Sequence, residues 1–158
     1  CEDLRTEFDF TLIVCPAGIE QGFKTAIAAA DTAIVVTMPE ISAVRDADKI
    51  IGELSRADKE DIKLIVNRIR PQMVESGDML DMNDINDILS IDCIGQVPDD
   101  EMVVTSTNKG EPCITMEHSL AGQAYRNIVG RICGEDIPFM EFPKEGFFQR
   151  LKRRVFGA

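Results

Sequence analysis

The run Ala33-Ile34-Val35-Val36-Thr37, closed by Met38-Pro39, is short, apolar and β-branched, with no polar alternation. A strand with one wet face alternates; a continuous run of this length predicts a strand buried on both faces. Upstream, Phe10-Thr11-Leu12-Ile13-Val14 has the same character and is stopped by Cys15-Pro16-Ala17-Gly18. Downstream, residues 62–66 repeat it and run into Asn67-Arg68-Ile69-Arg70-Pro71. Between these runs the period changes. Residues 19–30 place Phe23, Ile27 and Ala30 at helical spacing, and residues 42–55 do the same with Val44, Ala47, Ile50, Ile51 and Leu54. Ser42, behind Pro39, is the expected N-cap of the second helix. Strand, helix, strand, helix, strand predicts βαβ units, and therefore an α/β fold: a parallel sheet flanked by helices.

Farther along, residues 83–89 read as a brief helix and 91–97 as a weaker strand ended by Pro98-Asp99-Asp100. Helices are expected at 101–107 and 119–133, with the turn Lys109-Gly110-Glu111-Pro112 between them. Residues 135–145, with Pro138 and Pro143, read as a linker, so 1–134 form the expected domain and 146–158 a separate tail. Ligands of open parallel sheets bind beyond the carboxyl ends of the strands. The polar segments Cys15-Pro16-Ala17-Gly18, Thr37-Met38-Pro39-Glu40, Asn67-Arg68 and Pro98-Asp99-Asp100 all fall there, so they form the expected binding edge.

Composition narrows the function classes. The 158 residues suffice for one domain, and 44% hydrophobic with 28% charged residues is a globular balance. No apolar run approaches the ~18–20 residues that cross a bilayer. The opening residues are polar and acidic rather than a signal peptide, and a chain that starts without Met so near a strand is expected to be a piece of a longer protein. Five cysteines without a CxxC pair, beside the single His118, fit neither a disulfide framework nor a zinc site, so no metal ligands are expected and the compartment is read as a reducing cytoplasm. The net charge of −11 divides unevenly: from Lys144 onward the chain carries +4 and the body before it −15. An acidic body argues against nucleic acid as a partner.

The tail is a device of its own. At about 100° per residue, Phe147, Phe148, Leu151 and Val155 share one arc of a helix, followed by Phe156. Arg150, Arg153 and Arg154 lie opposite, with Lys152 on the flank. An apolar stripe against a cationic face predicts an amphipathic helix lying on an anionic membrane surface, each basic residue adding roughly 1 kcal/mol near anionic lipid. So short a segment binds weakly alone, and two copies held on a dimer bind far more strongly.

Several stretches, in order along nearly the whole chain, carry a resemblance. They are Phe8-Asp9-Phe10, Pro16-Ala17-Gly18-Ile19-Glu20, Thr37-Met38-Pro39-Glu40, Ser42-Ala43-Val44-Arg45-Asp46-Ala47-Asp48, Val66-Asn67-Arg68-Ile69-Arg70-Pro71 and Ser76-Gly77-Asp78-Met79. Val97-Pro98-Asp99-Asp100, Ser106-Thr107-Asn108-Lys109-Gly110-Glu111-Pro112 and Gly146-Phe147-Phe148-Gln149-Arg150-Leu151-Lys152-Arg153 follow. The whole resembles the second half of the septum-site-determining branch of the deviant Walker A (ParA/MinD) ATPase family.

The resemblance implies an incomplete P-loop NTPase-like fold. It further implies an intact parent that uses ATP and Mg²⁺, dimerises when ATP-bound, and sits peripherally on the inner face of the cell membrane. There it would place the division site by recruiting a MinC-like septation inhibitor, and a MinE-like activator would release it. Pro16, Ala17 and Gly18 would be the switch II turn. Asn67 would hydrogen-bond adenine, with Arg68 beside it and the Pro98-Asp99 backbone closing the base pocket. Arg45, Asp46 and Asp48 would belong to the regulator-binding helix.

Two departures follow the resemblance. No G-x-x-x-x-G-K-[ST] phosphate loop occurs, and Val14 stands where the family has an Asp. A valine cannot order a Mg²⁺ water shell, so no catalytic residue is assigned and this chain alone is expected to be inactive. The alternatives are a partitioning ATPase of the ParA type and a non-catalytic membrane-binding interaction module. A sheet lacking its first strands would also expose an edge, which predicts poor solubility or domain-swapped association.

Overall fold

A computed structural model describes residues 2–15 and 18–142. In chain order the elements are α1 (Glu2–Glu7), α2 (Gln21–Ala29), β1 (Ala33–Thr37), α3 (Ile41–Arg56), β2 (Ile62–Ile69), α4 (Pro71–Ser76), α5 (Met82–Leu89), β3 (Asp92–Pro98), α6 (Glu101–Lys109), a 3₁₀ turn (Cys113–Thr115) and α7 (Leu120–Ile132). The three strands pair in parallel in the order β1-β2-β3. Parallel neighbours need a crossover, and α3 and α5 supply it, which is the βαβ arrangement the alternating periods predict.

The apolar run of β2 is buried on both faces, whereas β1, expected to be buried on both, is covered on one. Val35 and Thr37 are buried while Ile34 and Val36 are 37% and 58% exposed, because the second core, under α7, is built on β2 and β3 and does not reach β1. On one face Val35, Leu64 and Val66 pack with Val44 and Leu54 of α3 and Ile85 and Leu89 of α5. On the other, Ile65 and Val97 pack with Ala121, Ala124 and Ile128 of α7. Within β2 the even-numbered Ile62, Leu64 and Val66 thus serve one core and Ile65 the other, as the two-residue period of a strand requires.

Local structure departs from the sequence reading in instructive ways. Residues 10–14, expected as a buried strand, are an exposed chain without strand pairing; Leu12 is 84% and Val14 93% solvent-accessible. A strand is defined by a neighbour, and among the described residues none lies beside this segment. α3 starts one residue before Ser42, with Glu40 at the N-cap and no side-chain cap bond. β2 extends three residues past Val66, through a register irregularity between Val66 and Ile69. α4 was not anticipated, although Pro71 at its first turn and left-handed Gly77 after it are ordinary helix punctuation.

Residues 135–142 lie against the domain. Arg131 donates from Nη1 to the Ile94 carbonyl (2.9 Å), from Nε to that of Ile137 (2.9 Å) and from Nη2 to that of Pro138 (2.8 Å). Its guanidinium also sits 4.3 Å from the centroid of the Phe139 ring. Met140 then packs on the α7 core and Phe142 on the α3–α5 core. The tail, 146–158, lies outside the described residues.

Two glycines make the packing testable. In α7, a Cβ on Gly122 would fall on the carbonyl of Cys113 and within 3.2 Å of the Ile114 Cα, whereas Gly52 in α3 has open space around it. Gly122→Ala should lower the unfolding free energy by about 1–3 kcal/mol, because backbone must move. Gly52→Ala should raise it by about 0.5–1 kcal/mol through helix propensity. Urea denaturation of the two variants checks the contrast.

Candidate functional site

The carboxyl ends of β1, β2 and β3 open on one rim, and the four expected base-pocket residues, Asn67, Arg68, Pro98 and Asp99, meet there. Asn67 and Arg68 sit where β2 breaks register, and Arg68 adopts a left-handed backbone (φ 58°). The Asn67 Oδ1 accepts the Arg68 main-chain N–H at 2.9 Å, which fixes the carboxamide. No described residue takes the Nδ2 hydrogens, so these remain donors for an acceptor on a ligand. The irregularity ends at Ile69, which pairs with Pro98. The Asp99 N–H then donates to the Ile69 carbonyl at 2.9 Å, drawing the Pro98-Asp99 main chain up beside Asn67. The Pro98 ring itself is buried, so any base would meet backbone here rather than a proline face.

The loop that carries Pro98 and Asp99 is tied down on both sides. The Asp99 carboxylate accepts from Arg70 Nε at 2.6 Å and lies 3.5 Å from Arg68 Nε. The Arg70 hydrogen bond is the chief reason its carboxyl is held below the usual carboxylate range. Arg68 is thereby committed to an ion pair at the pocket's edge. Asp100 anchors the other side. Its carboxylate caps α6 through the Met102 N–H (2.9 Å) and reaches across to Ser119 Oγ (2.8 Å) and the Ala121 N–H (3.0 Å) at the start of α7. Burial alone would raise the Asp100 carboxyl, but the Ala121 and Met102 amides and the Ser119 hydroxyl outweigh it and the net shift is downward. One carboxylate at two helix N-termini is favoured by both sets of orphan amides. Neither Asp100's second helix nor Arg70's role is visible in sequence, since both partners lie far along the chain.

A cavity of about 1050 Å³ runs along the free edge of β1 and reaches this rim. Its walls include Ile13, Phe23, Ile27, Val35 and, at the rim, Gly18, Thr37 and Asn67. Of the expected switch II turn only Gly18 is described, with φ 93°; Pro16 and Ala17 lie outside the described residues. Arg45, Asp46 and Asp48 are exposed on α3; Asp46 accepts from Lys49 Nζ at 2.8 Å and also borders the cavity. The membrane-binding residues Phe147, Phe148, Arg150, Leu151, Lys152, Arg153, Arg154, Val155 and Phe156 lie outside the described residues.

No protein-family model matches the chain. It is 48% identical over 160 residues to the septum site-determining protein MinD of Synechocystis sp., a match covering 99% of this chain and 60% of the relative. Among solved structures, the MinC:MinD cell division complex of Aquifex aeolicus superimposes with a TM-score of 0.86 at 42% identity, covering 90% of this chain and 60% of that one. The chain is a homologue of the MinD septum site-determining proteins, matched along their carboxy-terminal part. MinD of Pyrococcus horikoshii, solved with Mg-ADP, has the same fold here: TM-score 0.72, 26% identity, 83% of this chain and 53% of that one. The fold is therefore the MinD/ParA P-loop ATPase fold, present in part.

Asn67 and the Pro98-Asp99 main chain carry donors and acceptors of the kind a base edge pairs with. The exposed Val14 side chain has no oxygen, and among the described residues no group of three His, Cys, Asp or Glu side chains could hold a metal.

The Asp99 pair gives a pH signature. A depressed folded-state pKa stabilises above the ordinary carboxylate range, and that contribution fades as pH falls through the depressed value. Arg70→Leu should return the Asp99 carboxyl toward 3.8, followed by carboxyl NMR titration, while stability changes by less than about 1 kcal/mol because the pair is largely exposed.

Proposed function

We propose that this chain is the base-binding and membrane-tethering part of a MinD-type ATPase that places the cell-division site. The observation that carries the reading is the match to a MinD captured with MinC, at 42% identity and a TM-score of 0.86. In the intact parent, Asn67 donates to an acceptor on adenine, and the Pro98-Asp99 main chain closes the pocket with Arg68 at its edge. Arg70 and Asp100 hold that loop in place, so little of it has to be ordered when the base arrives. When bound, ATP would supply the phosphoanhydride that is cleaved and Mg²⁺ would neutralise its phosphate charge, and the residues gripping the phosphates would come from the rest of the parent. Pro16, Ala17 and Gly18 form the turn that registers the nucleotide state.

The output of that state is membrane residence. An ATP-bound dimer presents two copies of the 146–158 helix, each of them too weak alone, to anionic lipid on the inner face of the cell membrane. Phe147, Phe148, Leu151, Val155 and Phe156 enter the headgroup region, while Arg150, Lys152, Arg153 and Arg154 meet its negative charge. Residues 135–145 join the helix to the 1–134 domain. α3, with exposed Arg45, Asp46 and Asp48, offers the surface for a MinC-like inhibitor and a MinE-like activator.

Vesicle co-sedimentation tests the tether. The intact parent with ATP and Mg²⁺ should pellet with vesicles containing phosphatidylglycerol, and the pelleted fraction should fall several-fold when 146–158 is deleted or salt is raised. Equal pelleting with and without the tail would overturn the membrane reading.

A further inference from the structure

Arg131, in the last turn of α7, commits all three guanidinium nitrogens to main-chain carbonyls. Nη1 donates to Ile94 on β3, which ends the described sheet, at 2.9 Å. Nε and Nη2 donate to Ile137 and Pro138 at 2.9 and 2.8 Å, and the Phe139 ring lies 4.3 Å from the same guanidinium. One side chain thus joins a helix, a sheet edge and the segment that follows the helix. Lysine has neither the planar fork nor the flat face that these contacts use together. The surroundings match. Gly130 is buried and bears no Cβ where Ile137 lies; one added there would fall 2.4 Å from Ile137 Cδ1. Beyond the clamp, Met140 packs on the α7 core and Phe142 on the α3–α5 core, so the chain passes around the β3 edge from one face of the sheet to the other. Residues 135–142, expected as a linker, are therefore a strap laid on the domain.

We propose that Arg131 is a positioning residue for the membrane tether: it fixes the point at which the 146–158 tail leaves the domain. The inference rests on the membrane reading of that tail and adds the residue that sets its reach. With the strap clamped, only Pro143, Lys144 and Glu145 stand between Phe142 and the tail; with it released, the tether is the whole of 135–145. The effective concentration of a linked second copy falls with about the −3/2 power of tether length, so this lengthening dilutes each tail roughly sevenfold. A tail too weak to bind alone feels that dilution directly as lost membrane residence. The clamp also orders residues 137–142 during folding, before any lipid is met, which removes that ordering cost from the binding step. Covering the β3 edge alone would be a structural role for the same contacts. The two roles separate by experiment.

The test uses the intact parent with ATP and Mg²⁺ and vesicles containing phosphatidylglycerol. Arg131→Leu removes the donors while keeping a good helix former. Without vesicles, chymotryptic cleavage after Phe139 should accelerate about tenfold, and basal ATP hydrolysis should not change. With vesicles, the bound-to-free ratio should fall about fivefold. A Gly-Ser insertion as long as 135–142, placed between Glu145 and Gly146, lengthens the tether and leaves the clamp untouched. It should weaken vesicle binding to the same extent, whether or not Arg131→Leu folds well. Wild-type binding by either variant, or unchanged cleavage after Phe139 in Arg131→Leu, would overturn the inference. Deletion of 146–158 separates the two readings. If it abolishes pelleting while the other variants bind fully, the tether stands and the clamp fails; if it changes nothing, the tether reading fails and the clamp's role with it.

Discussion

β2 is bonded on both sides, to β1 through Ile62–Val66 and to β3 through Lys63, Leu64, Ile65, Val66 and Ile69, and every other element is placed by reference to it. Its alternation divides the interior. Leu64 and Val66 close the core beneath α3 and α5, and Ile65 closes the core beneath α7. Because side chains change face at every residue, a one-residue slip of β2 would exchange its contributions to the two cores. That constraint fixes register, and register in turn fixes which residues reach the carboxyl rim. Asn67 and Arg68 are lifted out of the ladder there, and the ladder resumes only at Ile69 opposite Pro98. The candidate pocket is thus a local failure of pairing, held by the regular pairing around it.

The rim combines a fixed half with an unfinished half. On the β3 side, Asp99 and Asp100 divide the work: one carboxylate faces the arginines of β2, the other joins the N-termini of α6 and α7. Such ties give the loop a single geometry before any ligand binds, which is how a small pocket avoids an ordering cost. On the β1 side, the sheet stops at an apolar edge, and the strand-like segment 10–14 stands off from it. The chemistry follows the same division. Groups suited to a base lie on the finished side, and Val14 brings no ligand for a cation to the other.

Much of this was legible in the order of residues. The change of period between 33–37, 42–55 and 62–66 specified strand, helix and strand, and those elements formed within a few residues of expectation. Asn67, Arg68, Pro98 and Asp99 were placed together at strand ends by the rule for parallel sheets, and β2 and β3 are adjacent as that requires. The segment 10–14 reads as a strand just as strongly and is not one. Propensity describes what a segment could pair as, whereas pairing needs a second backbone.

The sequence by itself determined the alternating parallel architecture, the acidic body, the positive charge of the tail and the rim to which the strand ends lead. Each follows from periodicity or charge, which are properties of neighbours along the chain. Tertiary structure alone decided that Asp100 joins two helices and that Arg70 holds Asp99. It also decided that Arg131 binds residues 137 and 138 to the domain, and that residues 10–14 pair with no strand among the described residues. The physical reason is common to all four. They depend on groups distant in sequence meeting, or failing to meet, within hydrogen-bonding distance, and only the packed sheet sets those distances.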